Sequence, residues 1–99
     1  MEIKVLNVIH EIEAKYYEEK DFENALNLSF QLIKEKSGIK DSSYLAEILE
    51  KLIKKGYLFK TSPMTFRTLE SEIIREMIEM RSRWEEFSPN IVADAKVYV

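Results

Sequence analysis

The sequence predicts a mostly helical α+β protein, and three observations carry this prediction. Four segments repeat apolar residues at helical spacing, two aromatic and β-branched runs flank a proline-containing turn, and the C-terminal residues alternate apolar with polar. Only two glycines and two prolines interrupt the chain, which favours long helices over loops. Because 99 residues fall within the size of one domain, we expect a single domain over residues 1–99.

Residues 2–36 predict the first two helices. The first is expected over about residues 2–19, where one face carries Val5, Ile9, Ile12 and Tyr16. Asp21 suits the N-cap of the second helix, because its carboxylate can accept hydrogen bonds from the free N–H groups of the first turn. Gly38 suits a left-handed C-terminal cap after that helix. The face expected to be apolar comprises Phe22, Ala25, Leu26, Ser29, Phe30 and Ile33.

Residues 42–55 predict a third helix, followed by a β-hairpin over residues 57–69. Asp41 and the two serines after it can cap the helix, and Gly56 ends it. Its apolar stripe is the clearest of the chain and comprises Leu45, Ile48, Leu49, Leu52 and Ile53. Two strand-like runs on either side of Ser62-Pro63-Met64 then indicate the hairpin.

Residues 70–87 predict a fourth helix, capped by Thr68, whose apolar positions step by four, three, four and three residues. This heptad spacing is typical of a helix that packs against another helix. Since the first three helices already supply a core, we expect the stripe to form a homodimer interface. The expected interface residues are Ile73, Met77, Met80, Trp84 and Phe87. The alternation of residue character along residues 91–99, typical of a strand with two different faces, predicts a short terminal strand.

The segment from Leu32 to Leu58 resembles a winged helix-turn-helix. It has Ser37-Gly38-Ile39 at the end of one helix, a polar turn, and a second helix that closes with Leu49-Glu50-Lys51-Leu52-Ile53-Lys54-Lys55-Gly56-Tyr57 before the hairpin. Residues 70–87 resemble the C-terminal dimerisation helix of many small archaeal regulators. The resemblance covers about residues 22–87. It implies a winged helix-turn-helix with a recognition helix over 42–55, a wing over 57–69, a dimerisation helix and a short terminal strand.

The charge distribution favours nucleic acid as the partner. The chain has a net charge of −3, yet residues 34–67 hold eight basic and four acidic residues. We therefore expect a dimeric protein that binds double-stranded DNA, as a small transcriptional regulator or a DNA-architectural protein. Glu47 and Glu50 oppose this expectation, because they point outward from the recognition helix and phosphates repel carboxylates. The residues expected in the groove are Ser42, Ser43 and Tyr44, and those expected on phosphates are Lys40, Lys51, Lys60 and Arg67.

The composition argues against an enzyme or a metalloprotein. The chain has no cysteine and one histidine, His10, which excludes thiolate metal sites and disfavours a catalytic triad. No glycine-rich phosphate loop is present. We expect no catalytic residues, no cofactor, no metal and no small-molecule ligand. No apolar run is long enough to span a membrane and no signal peptide opens the chain, so we expect a cytoplasmic protein.

Two alternatives remain open at this stage. The chain can be a small helical bundle with an incidental hairpin, since each piece of the winged-helix resemblance is generic. It can also be a hyperstable protein–protein interaction or viral accessory protein of helical fold, without a nucleic-acid role. Its length, its lack of cysteine and its many Ile, Lys and Glu residues resemble small proteins encoded by viruses of hyperthermophilic archaea. The same composition predicts a thermostable protein.

Overall fold

The computed structural model describes residues 1–87, and the side chains of residues 1–83. This part of the chain is a mostly helical α+β structure, which confirms the predicted class. The predicted terminal strand over 91–99 lies outside the described residues. The elements in chain order are α1 (Glu2–Glu18), α2 (Phe22–Ala25), β1 (Leu28–Ser29), α3 (Phe30–Ser37), α4 (Ser42–Lys54), β2 (Leu58–Ser62), β3 (Thr65–Thr68) and α5 (Leu69–Phe87).

Helices α1, α3 and α4 pack with one face of the sheet around a single hydrophobic core. The apolar stripes predicted for α1 and α4 supply most of it, as their helical period requires. The predicted stripe of α4 is buried except at Ile53, which is half-buried. The buried core residues are Val5, Ile9, Ile12, Leu28, Ile33, Leu45, Ile48, Leu49, Leu52, Leu58 and Phe66.

The prediction of one continuous second helix is wrong, because a two-residue strand divides it into α2 and α3. Ser29 has an extended backbone, and its hydroxyl accepts a hydrogen bond from the backbone N–H of Leu32 at 3.1 Å. Ser29 is therefore the N-cap of α3 and not a member of an apolar helix face. Leu28 pairs with Phe66 across the sheet and is 1% exposed, so the break buries a large side chain that a continuous helix would turn away from the core.

The turns on either side of α4 follow the predicted capping residues. Gly38 has a φ of +74°, the left-handed conformation that suits glycine, and it ends α3. The Asp41 carboxylate accepts hydrogen bonds from the N–H groups of Ser43 and Tyr44 at 3.0 and 3.4 Å. Gly56, at a φ of +83°, redirects the chain from α4 into β2. These caps fix the direction in which α4 leaves the loop.

The predicted β-hairpin is confirmed, and β1 makes it a three-stranded antiparallel sheet in the order β1-β3-β2. Phe66 pairs with Leu28 on one side and with Lys60 on the other. At the hairpin tip, the backbone N–H of Phe30 donates to the Met64 carbonyl at 2.9 Å. The tip is therefore held against the start of α3 and close to α4.

Helix α5 leaves the sheet directly after β3 and is mostly solvent-exposed. The Thr68 hydroxyl accepts from the N–H of Ser71 at 3.2 Å, as the predicted cap requires. Ser71 is buried, whereas every residue from 76 to 83 is exposed. On the predicted stripe, Ile73, Met77 and Met80 are 48%, 63% and 67% exposed. The side chains of Trp84 and Phe87 lie outside the described part of the structure.

Candidate nucleic-acid interface

The face of α4 that points away from the core is entirely polar. Its residues follow one another at spacings of four, three and four, so they share one side of the helix opposite the buried stripe. All of them are exposed. They are Ser43, Glu47, Glu50 and Lys54. This face carries one cation and two carboxylates. A ligand that lies along this face of α4 therefore meets all three charges.

A groove of about 630 Å³ separates α4 from the hairpin. Its floor is apolar, formed by Phe30 at the start of α3, by Leu49 and Ile53 of α4 and by Phe66 of β3. Its polar lining residues are Ser42, Ser43, Glu50 and Lys60. The structure therefore brings three of the predicted site residues, Ser42, Ser43 and Lys60, to one groove, although they come from different elements.

The other predicted residues lie elsewhere around α4. Tyr44 and Lys51 line a smaller depression on the side of α4 that faces the start of α1, together with Met1 and Glu2. Lys40 lies in the loop before α4 and lines a third depression, which it shares with Lys34 and Gly38. The predicted residues thus surround the exposed face of α4 but do not form one cluster.

Four lysines lie on or beside the exposed face of α4 and make no ion pair with the described part of the chain. Each is exposed, and none lies within 4.0 Å of a described carboxylate oxygen. They are Lys40 before the helix, Lys51 on the α1 side, Lys54 at its C-terminal end and Lys60 on the hairpin. Their neighbour Lys55 differs: its ammonium lies 2.7 Å from Glu2 Oε2, and this hydrogen bond raises the pKa of Lys55.

Arg67, which the sequence predicts to contact phosphate, makes its described contacts within the chain. Its Nε donates to the Leu26 carbonyl at 3.0 Å and its Nη1 lies 2.9 Å from Glu72 Oε2. The side chain is 14% exposed. Hydrogen bonds from Arg75 and then Arg67 hold the pKa of the Glu72 carboxyl below its usual value. Because the guanidinium is engaged within the chain, Arg67 is less available to phosphates than the exposed lysines, and its predicted phosphate contact stays a prediction.

Lys54 is not among the residues that the sequence analysis expects on phosphates. The signal for it was present, because Lys54 falls on the same face as Ser43 and Glu50 at helical spacing. The groove had no such signal, because it depends on how closely the hairpin tip approaches α3 and α4.

No group of three or more His, Asp or Glu side chains among the described residues is arranged to hold a metal ion. In the same part of the chain, no helix is both long enough and apolar enough to cross a membrane. Comparisons of the chain with protein-family models, with characterised proteins and with solved structures find no match.

Proposed function

We propose that this chain is a winged-helix domain that binds double-stranded DNA, as a small transcriptional regulator or DNA-architectural protein. In this proposal α3, the Gly38 turn and α4 form the helix-turn-helix, and the hairpin β2–β3 is the wing. The observation that carries the proposal is the presence of four exposed lysines on and around α4, none of them within 4.0 Å of a described carboxylate oxygen. Cations that are not neutralised within the chain are available to displace counterions from phosphates.

The residues divide into two roles in this proposal. Lys40, Lys51, Lys54 and Lys60 contact phosphates and fix the position of α4 on the duplex. Ser43 enters the major groove, with Ser42 and Tyr44 at the two sides of the helix. Glu47 and Glu50 lie at the centre of the same face, where each can accept a hydrogen bond from the N4 amine of a cytosine. Both carboxylates also repel phosphates, so we expect modest affinity and a dependence on the four lysines.

The proposal includes a homodimer formed through α5. The exposed residues Ile73, Met77 and Met80 form a stripe at heptad spacing, which a second helix of the same spacing can cover. Because these side chains are about half to two-thirds exposed, burying the remainder contributes roughly 1–2 kcal/mol each before the cost of association. Trp84 and Phe87 remain the predicted anchors of this contact.

Charge reversal at single lysines tests the DNA interface. We expect Lys60→Glu and Lys51→Glu to weaken binding to any duplex alike, because phosphate contacts do not read sequence. Lys15→Glu is the matched control, since Lys15 is an exposed lysine of α1 outside the proposed interface. Fluorescence anisotropy with a labelled duplex gives the three affinities. Equal losses in all three variants would mean that only net charge matters and that α4 is not the contact surface.

A second candidate is a protein–protein interaction without nucleic acid. The observation that favours it is the apolar floor of the groove between α4 and the hairpin, beside the carboxylate of Glu50. A protein segment with apolar side chains would bury this floor, whereas DNA would leave much of it uncovered. The absence of any binding to duplex DNA at low salt would favour this candidate.

A further inference from the structure

Helix α5 contacts the sheet strands from which it continues, and it also makes polar contacts with one face of α1. His10, Glu13 and Tyr17 are spaced by three and four residues, so their side chains share that face. His10 Nε2 lies 3.0 Å from Glu70 Oε2. The Tyr17 hydroxyl donates to Ser71 Oγ at 2.7 Å. We name these contacts, together with those of Glu13, the α1–α5 clamp.

Glu13 is the centre of the α1–α5 clamp. Its carboxylate is 4% exposed and accepts three hydrogen bonds from the junction between β3 and α5. The donors are the Thr68 N–H at 3.0 Å, the Thr68 hydroxyl at 2.6 Å and the Ser71 hydroxyl at 2.7 Å. Thr68 and Ser71 are fully buried, so without Glu13 these donors have no water to replace it.

Apolar packing at the same junction is partial. Among the described side chains of α5, only Ser71 is buried, Ile74 is half-buried, and Ile73 is 48% exposed. On another side, Arg67 joins the Leu26 carbonyl to Glu72 in the first turn of α5. Hydrogen bonds and ion pairs are directional, whereas apolar contacts allow a helix to rotate and slide. The clamp and Arg67 therefore supply the directional contacts that restrain α5.

We propose that the α1–α5 clamp fixes the angle of α5 to the DNA-binding body, with Glu13 as its positioning residue. This inference rests on the proposed function, because in a dimer held by α5 this angle sets the distance between the two α4 helices. That distance must match the separation of successive major grooves on one face of the duplex. Glu13 thus acts on DNA recognition from a site that touches no DNA.

Distance measurements by electron spin resonance test the clamp without DNA. The chain has no cysteine, so Asn7→Cys with Ser82→Cys places one spin label on α1 and one on α5, both at exposed positions. The labelled protein is mixed with excess unlabelled protein, so that a dimer carries at most one labelled chain and only the distance within that chain is measured. We expect a single narrow distance distribution in this background, and one about twofold broader after Glu13→Gln and also after Tyr17→Phe.

Glu2→Gln is the matched control, because Glu2 is a carboxylate of the same helix that pairs with Lys55, away from α5. It should leave the distribution narrow. Circular dichroism verifies that each variant is folded, and Tyr17→Phe decides the test if Glu13→Gln does not fold. Distributions as narrow as in the control for the folded clamp variants would overturn the proposal.

A series of duplexes of increasing length links the clamp to function. We expect the wild-type protein to gain affinity in one step, at the length that accommodates both α4 helices, and Glu13→Gln to gain affinity gradually. A wild-type protein that binds no duplex would refute the proposed function, while the distance distributions would still decide the clamp. A stepwise gain that persists in Glu13→Gln would contradict the inference and leave DNA binding intact.

Discussion

Truncation of Leu28 is the sharpest test of the break between α2 and α3. Leu28 is 1% exposed within the core, whereas Leu26, two residues earlier, is half-buried beside Phe22. Leu28→Ala removes core volume between α1, α3 and the sheet, and such truncations cost about 2–5 kcal/mol. We expect about 3 kcal/mol, because the fixed pairing of Leu28 with Phe66 limits collapse of the cavity. For a chain of this size the melting midpoint falls by roughly 12–24 °C.

Leu26→Ala is the matched control, since it makes the same chemical change at a half-buried position. We expect it to cost about 1 kcal/mol. Urea denaturation of both variants and of the wild type measures the difference in unfolding free energy, provided that the slope of this free energy against urea concentration is the same in all three proteins. A continuous helix would turn Leu26 towards the core and Leu28 away from it. A larger loss for Leu26→Ala than for Leu28→Ala would therefore refute the strand at β1.

The remaining predictions concern charge, assembly, heat and acid. Glu50→Gln should bind a mixed-sequence duplex about threefold more tightly at low salt, because it removes a carboxylate that repels phosphate; unchanged binding in anisotropy titrations would remove α4 from the contact surface. Met77→Glu should dissociate the dimer, and sedimentation equilibrium would contradict this if the wild type were already monomeric at micromolar concentration. The melting midpoint at neutral pH should exceed about 80 °C, against roughly 45–65 °C for mesophilic domains; calorimetry within the lower range would show that composition was over-interpreted. Since Arg75 and Arg67 hold the pKa of Glu72 below 4.5, its value in the unfolded chain, this carboxyl contributes stability above that pH that is lost on further acidification. Glu72→Gln should therefore flatten the loss of thermal stability below about pH 4.5, and an acid dependence equal to the wild type would contradict the pairing.

The elements that sequence reasoning identified correctly carry local signals. Helix α4 has an uninterrupted apolar stripe between Asp41, which caps it, and Gly56, which ends it, and its bounds follow from those residues alone. The break at β1 has no such signal, because the burial of Leu28 depends on pairing with Phe66, far along the chain. From the sequence alone, Ser29 is compatible with a position inside a helix and with an N-cap. The pairing of Leu28 and Ser29 with β3 determines that it is an N-cap.

The candidate site was predictable in its composition but not in its contacts. Residue type and position in the sequence predicted Lys51 on α4 and Lys60 on the hairpin, and both are exposed. The contacts of Arg67 carry no such signal, because residue type and position on a hairpin do not reveal which acceptors a cation meets. Its acceptors, the Leu26 carbonyl and Glu72, come from opposite sides along the chain. Burial of Glu13 was equally invisible, since its three donors belong to residues more than fifty positions later.

Titration of a labelled mixed-sequence duplex with the wild-type protein over a range of salt concentrations tests the central claim most directly. If Lys40, Lys51, Lys54 and Lys60 each neutralise one phosphate, the logarithm of affinity falls against the logarithm of salt with a slope of about −4 per protomer. Between about 50 and 200 mM salt, the affinity of one protomer should then fall by roughly a hundredfold. Absence of binding at the lowest salt, or an affinity that does not change with salt, would contradict DNA binding through α4 and the hairpin.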